Sequence, residues 1–190
     1  MNLNVRNWYG LGRLGLVACS TLCFFRASAL EPETLFNFQV GLGTVTGALA
    51  QGPDGNFYGT TADGGPLRSG TIFRVTPTGA ITTLASDQAN PAAGLLVGND
   101  GLLYGMTAAG GAGGFGTVFK LTTSGVLTNF AVFDGVNGRS PLSGLVLAGD
   151  GNFYGASQGG GTNGFGAIRR ISYRPSCFGR IRSIHSMYSV

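Results

Sequence analysis

Histidine, cysteine and charged residues are scarce in this 190-residue chain. It contains one histidine, His185, three cysteines and only 11% charged residues. A serine or cysteine nucleophile that is activated by histidine needs that histidine beside it, and His185 lies in an atypical C-terminal segment. No group of histidines, cysteines and carboxylates has the spacing of a transition-metal site. The sequence therefore predicts no enzyme activity, no metal and no cofactor.

The formal net charge of +4 arises from the two ends of the chain. Residues 1–30 contain three arginines and residues 169–190 contain five, and neither segment contains an acid. The residues between them, 31–168, contain four bases and eight acids. A nucleic-acid-binding protein would carry its bases clustered on the folded body. We therefore predict no nucleic-acid partner.

The first 29 residues have the pattern of a secretory signal peptide. A basic segment reaches Arg13, an apolar run follows over residues 14–25, and "ASA" at 27–29 offers a cleavage site. This run is too short for a membrane-spanning helix, which needs about 20 apolar residues. We expect cleavage after Ala29 and export to the extracellular space, the cell surface or the periplasm, with membrane contact only through the signal. The alternatives are lipidation of Cys19 in "LVAC" and an uncleaved anchor.

Cleavage would remove Cys19 and Cys23 and leave Cys177 as the only thiol. A single cysteine cannot form an internal disulfide. The full sequence is 43% apolar and contains 35 glycines. Such a composition, with little charge, is typical of an all-β protein with many tight turns.

One octapeptide pattern occurs three times: "DGNFYGTT" from residue 54, "DGLLYGMT" from residue 100 and "DGNFYGAS" from residue 150. The copies lie 46 and 50 residues apart, and an Asp-Gly pair is a strong turn signal between strands. The structural repeat positions are Asp54, Gly55, Tyr58, Gly59, Asp100, Gly101, Tyr104, Gly105, Asp150, Gly151, Tyr154 and Gly155.

Each copy is predicted to form four short antiparallel strands, which at this period is the pattern of a β-propeller blade. Alternation in "TIFRVT" places Phe73 and Val75 toward the core and Arg74 outward. We therefore predict an all-β, β-propeller-like stack of about three repeats, incomplete, over residues 30–172, with repeats near 44–89, 90–139 and 140–172. The alternative, an open β-solenoid, usually has shorter coils.

The segment "GLLVGNDGLLYGMTAAGGAGGFGTVFKLTTSGVLTNF" and its third-copy counterpart closely resemble the GloVer (Gloeobacter–Verrucomicrobia) tandem repeat of exported bacterial proteins. The resemblance covers about residues 36–172. It implies a propeller-like domain, commonly found with C-terminal surface-anchoring or sorting signals. It implies no enzymatic activity and no catalytic residues.

The third copy departs from the pattern near its end. Arg169 replaces the phenylalanine of the earlier copies, Phe73 and Phe119, and the fourth strand is expected to be missing after Ser172. Residues 173–190 are interpreted as an aberrant, disordered basic tail from a truncated or frame-shifted reading frame. The alternative is a functional tail that contacts anionic surfaces.

The predicted number of blades does not identify a partner for this chain. Closed propellers have about four to eight blades, and this chain encodes fewer than three complete ones. It is therefore expected to be a fragment, to associate with further blades or with copies of itself, or to remain an open stack.

The repeated residues have structural interpretations that compete with functional ones. The three aspartates are expected to cap their own turns. The Gly-rich loops lack the Lys-Ser/Thr of a phosphate loop and the Asp of a calcium repeat. The three tyrosines are expected to pack between blades, with a glycan-stacking ladder as the alternative.

We expect a non-catalytic exported repeat protein that acts as a surface scaffold or binding module. The alternative is a fragment of a propeller enzyme or a lectin-like glycan-binding domain.

Overall fold

The computed structural model describes residues 34–38, 41–86, 88–174 and 177–186, with side chains described as far as Ser172. The described residues belong to one compact unit, Thr34–Val190. Their regular structure is entirely β. The predicted signal peptide, residues 1–29, lies outside the described residues.

Thirteen strands occur in the described part of the chain, and each is short because a turn or a Gly-rich loop follows it. They are β1 Ala50–Gln51, β2 Phe57–Thr61, β3 Thr71–Val75, β4 Ile81–Ser86, β5 Leu96–Val97, β6 Leu103–Thr107, β7 Thr117–Leu121, β8 Leu127–Val132, β9 Arg139–Pro141, β10 Val146–Leu147, β11 Phe153–Gly159, β12 Ala167–Arg174 and β13 Cys177–Ser186.

The strands form three antiparallel sheets, one for each sequence repeat. The first sheet has the order β1-β2-β3-β4, the second β5-β6-β7-β8 and the third β10-β11-β12-β13, with β9 also paired to β11. Each sheet is a four-stranded meander of the kind found in propeller blades. The protein is thus an all-β, propeller-like stack of sheets that does not close into a ring.

Residues of the predicted tail form the fourth strand of the third sheet, which the sequence pattern predicts to be missing. The backbone of β13 pairs with β12, with Arg169 opposite Ser183 and Ile171 opposite Ile181. The register shifts by one residue at the same place in all three sheets: after Ile72, after Val118 and after Ile168. Cys177–Ser186 therefore differs from the predicted disordered tail and takes the position of β4 and β8.

The hydrophobic core lies between the sheets. One cluster joins residues of the first sheet, including Tyr58 and Ile72, to residues of the second, including Leu103 and Phe119. A second cluster joins the opposite face of the second sheet, including Tyr104, to the third sheet. Burial of apolar surface between neighbouring sheets stabilises the stack, because no single sheet can cover both of its own faces.

Both faces of a sheet are therefore buried, which corrects the predicted alternation in β3. Phe73 is buried as expected, but Ile72, on the other face, is also fully buried. Arg74 is half-buried rather than outward in solvent. The period-2 pattern identifies the two faces correctly, but it assumes that one of them contacts water.

The two faces are named here by their neighbours in the chain. The N-side face points toward the preceding sheet and carries residues such as Leu103 and Phe119. The C-side face points toward the following sheet and carries residues such as Tyr104 and Val118. In the first sheet, Phe38 covers part of the N-side face, because its ring lies edge-on to Phe73 with 5.0 Å between ring centroids.

Candidate functional site

The repeated octapeptides place their aspartates at the tips of the β1–β2, β5–β6 and β10–β11 hairpins. The glycine after each aspartate has a φ of +74° to +78°, a conformation that costs glycine little. The first turn closes with a hydrogen bond of 3.0 Å from the Gly55 N–H to the Gly52 carbonyl, and the other two turns repeat it. The carboxylate of Asp150 accepts the N–H of Asn152 at 3.0 Å, as an Asx turn does.

Each tyrosine hydroxyl donates a hydrogen bond to the aspartate of its own turn. The distances from the hydroxyl oxygen to Oδ2 are 2.7 Å for Tyr58–Asp54, 2.8 Å for Tyr104–Asp100 and 2.7 Å for Tyr154–Asp150. The residue opposite each tyrosine on the next strand is basic: Arg74, Lys120 and Arg170. Every sheet thus repeats the same acid, tyrosine and base at one end.

This arrangement raises the pKa of Tyr58 and lowers the pKa of Asp54. Burial and the hydrogen bond to Asp54 raise the pKa of Tyr58 to about 12. Burial favours a higher pKa for Asp54, but the hydrogen bonds from Asn56 and Tyr58 outweigh it and hold that pKa below its usual value. Hydrogen bonds from Asn152 and Tyr154 likewise lower the pKa of Asp150. Asp54 and Asp150 are therefore held ionised as hydrogen-bond acceptors.

The glycan-stacking alternative fails for two of the three tyrosines. Tyr58 is 0% exposed and Tyr104 is 1% exposed, because the following sheet covers their rings. Tyr104 contacts Phe153 of the third sheet with 4.3 Å between ring centroids. A ring that is covered by protein cannot also stack on a sugar. Of the three, only Tyr154, which lies on the last of the described sheets, keeps part of its surface accessible.

The second glycine of each motif is required by a close approach of side chains. A Cβ on Gly59 or Gly105 would lie 2.5 Å or 2.4 Å from the Cζ atom of Phe73 or Phe119. In the third sheet, where Arg169 replaces that phenylalanine, the nearest atom to a Cβ on Gly155 is Cε of Met106 at 3.1 Å. A methionine from the second sheet thus fills the place of the missing ring.

Arg169 is buried, with 4% of its surface exposed. Its Nη2 donates a hydrogen bond of 3.3 Å to the carbonyl of Val136. Burial lowers the pKa of this guanidinium, and the nearby charge of Asp134 partly opposes that shift. The sequence identifies the replacement of phenylalanine, but not this contact with the loop after β8.

A small groove lies between the second and third sheets at the end that carries the Asp-Gly turns. It has a volume of about 170 Å³ and is lined by Asn99, Asp100, Tyr104, Leu147, Gly151 and Phe153. Its walls combine an amide and a carboxylate with apolar side chains, which suits a small polar ligand better than an extended chain. Among the residues that the structure describes, no three His, Cys, Asp or Glu side chains come together as metal ligands.

The sheet order, the meander connections and the repeated turns define the protein as a propeller-like repeat protein. The family model of the Gloeobacter/Verrucomicrobia repeat matches residues 15–188, and the chain belongs to this family. The match includes β13, and so extends beyond the repeats recognised from the sequence motif. No curated protein matches the chain.

The solved structures that are similar to this chain include the following two. One is the X-ray structure of a "putative gluconolactonase", with 16% identity and a TM-score of 0.54; the match covers 72% of this chain and 48% of that one. The other is the tricorn protease, with 19% identity and a TM-score of 0.47, covering 76% of this chain and 13% of that one. The chain thus spans about half of the first protein. At this identity the first likeness shows the fold alone, and the second carries no weight.

Within the described residues, no helix is long and apolar enough to cross a membrane.

Proposed function

We propose that this protein is a non-catalytic, exported repeat module that acts as a surface scaffold or binding protein. The observation that carries the proposal is the structural use of the repeated polar residues. Asp54, Asp100 and Asp150 each accept a hydrogen bond from the tyrosine of the same sheet. A carboxylate that is already bonded to its own turn and to a tyrosine of the same sheet has a structural role and is poorly placed to exchange a proton with a substrate.

The alternative, a fragment of a propeller enzyme, is testable because the similar solved structure bears the name of a gluconolactonase. The purified chain should hydrolyse aldonolactones no faster than buffer does, measured by pH-stat titration of the acid released. A rate that saturates with substrate and falls in an Asp100→Asn variant would overturn the non-catalytic proposal.

The groove beside Asp100 is where binding of a small polar ligand should be tested. Its acidic and amide groups next to apolar walls favour a neutral sugar over an anion, because Asp100 repels negative charge. A glycan array probed with the full chain is the direct experiment, with an Asn99→Leu variant as the control for the groove. If the Asn99→Leu variant still binds, the ligand binds elsewhere on the chain. If the full chain binds no glycan on the array, the lectin-like form of the proposal is contradicted.

Export is tested by expressing the chain in a Gram-negative host and sequencing the N-terminus of the exported product. We expect it to begin at Leu30. A product that retains residues 1–29, or one that is acylated at Cys19, would contradict cleavage after Ala29.

A further inference from the structure

The last sheet of the stack exposes residues that the preceding sheets bury. Ile168 is 43% exposed, whereas its counterparts Ile72 and Val118 are both 0% exposed. Val146 is 62% exposed, whereas its counterpart in the first sheet, Ala50, is 9% exposed. The C-side face of the third sheet therefore carries the apolar positions of an inter-sheet interface without a covering sheet.

The N-side face of the first sheet is open in part, beside the part that Phe38 covers. Leu49 is 52% exposed, whereas Leu95 and Leu145, at the same position, are 9% and 8% exposed. Phe57 is half-buried, and its counterparts Leu103 and Phe153 are almost fully buried. The two ends of the stack thus expose complementary parts of one interface, which the chain itself forms twice between its own sheets.

The polar residues of β11 and β12 on the C-side face of the third sheet match those of the internal interfaces. Arg170 lies opposite Tyr154, whose hydroxyl is bonded to Asp150. The same cross-strand pair, Tyr58 and Arg74, faces the second sheet inside the stack. A sheet packed on β10–β12 would therefore meet the same polar groups that the internal interfaces already accommodate. Strand β13 differs, because it places Arg182 opposite Arg170 where β4 and β8 have Thr82 and Thr128.

We propose that two copies of this chain associate head to tail, with the C-side face of the third sheet of each copy docked on the N-side face of the first sheet of the other. Such a heterologous contact repeats around a closed ring when its rotation permits. One copy spans 48% of the solved propeller-like chain that it matches, so two copies supply a stack of comparable length. The inference concerns assembly and stands whatever the assembly binds.

The mass of the full chain in solution is the first test. Light scattering after size-exclusion chromatography should give twice the chain mass of 19.4 kDa. Val146→Lys should reduce it to the mass of one chain, because it places a charge in the docked face. The matched control is Val126→Lys, in the turn between β7 and β8, since Val126 is also 62% exposed.

Mixing two variants tests the head-to-tail geometry. Leu49→Lys blocks the first sheet and Val146→Lys blocks the third, so neither variant should dimerise alone. A mixture retains one unblocked pair of faces and should recover a species of two chains, detected by native mass spectrometry with one variant isotope-labelled. If Val146→Lys shows no cooperative thermal transition, and so does not fold, Ile168→Lys is used in its place.

Three results would overturn the proposal. The wild-type chain could have the mass of one copy at every concentration tested, which excludes self-association. Leu49→Lys could dimerise as well as the wild type, which would indicate that identical faces meet. Val146→Lys and Ile168→Lys could both retain the double mass, which would place the contact elsewhere, for example in the apolar N-terminal segment.

Discussion

Replacing Gly105 by alanine should destabilise the stack because a phenylalanine ring lies directly over this glycine. The added Cβ would lie 2.4 Å from Cζ of Phe119 and 2.9 Å from Cδ2 of Leu95. Carbon atoms in contact are normally about 3.5–4.0 Å apart, so the overlap with the ring exceeds about 1 Å. Phe119 is 1% exposed, and the packed neighbours leave it little room to move.

The size of the loss follows from two opposing contributions. Overpacking of a well-packed core costs about 1–3 kcal/mol. Alanine recovers about 0.5–1 kcal/mol, because it loses less backbone entropy than glycine does on folding. Two neighbours are displaced and one of them is enclosed, so we expect a net loss of about 2 kcal/mol in the free energy of unfolding. For a domain of this size that corresponds to a fall in Tm of about 4–8 °C.

Thermal unfolding followed by circular dichroism measures this loss against two internal comparisons. Gly149→Ala is the control, because no atom lies within 4 Å of its added Cβ, and it should leave Tm unchanged or raise it slightly. Gly155→Ala should cost less than Gly105→Ala, because its nearest neighbour is the flexible end of Met106. Equal Tm values for Gly105→Ala and Gly149→Ala, or a larger loss for Gly155→Ala, would refute the reasoning.

Three further substitutions test the packing and the polar network. Tyr58→Phe should remove part of the loss of stability at alkaline pH. The pKa of Tyr58 is raised to about 12 from its usual 10, so the stability that its protonated hydroxyl contributes is complete below pH 10 and is lost as the pH rises toward 12. An unchanged alkaline unfolding curve would contradict this. Met106→Ala should lower the free energy of unfolding in urea by about 2–5 kcal/mol, because Met106 is buried between the second and third sheets. A loss below about 1 kcal/mol would contradict the inference that Met106 fills the place of the phenylalanine that Arg169 replaces. Thr107→Val should cost about 1–3 kcal/mol, because the buried N–H of Thr117, which donates to Thr107 Oγ1 at 3.1 Å, loses its acceptor. Thr128→Val, at an exposed position, is the control, and equal urea midpoints for the two variants would contradict a stabilising role of the Thr107 hydroxyl.

The repeat motif identifies the turns and strands because their physical causes are local. An Asp-Gly pair reverses the chain through the positive φ of its glycine, as at Gly101. The hydrogen bond from the Tyr104 hydroxyl to Asp100 spans only four residues. Such contacts are encoded within one octapeptide and recur wherever the octapeptide recurs. The four-stranded, propeller-like fold could therefore be predicted for the first two repeats, and the first three strands for the third.

The fourth strand of the third sheet could not be predicted in this way. The segment after Ser172 lacks the Pro/Ser-Gly turn and the apolar pattern of its counterparts. Its backbone nevertheless pairs with β12 and repeats the register shift of the other sheets. The unpaired edge of β12 offers backbone donors and acceptors to any adjacent extended segment, and such pairing depends little on side chains.

The sequence by itself determined the repeat, the hairpins, the propeller-like class and the position where Arg169 breaks the pattern, because each of these depends on residues that are close in the chain. Only the tertiary structure decided which faces are buried. Tyr104 is hidden and its counterpart Tyr154 is partly open, although both occur in the same motif. The difference arises because burial depends on whether another sheet follows, and a repeat carries no local signal of its place in the stack.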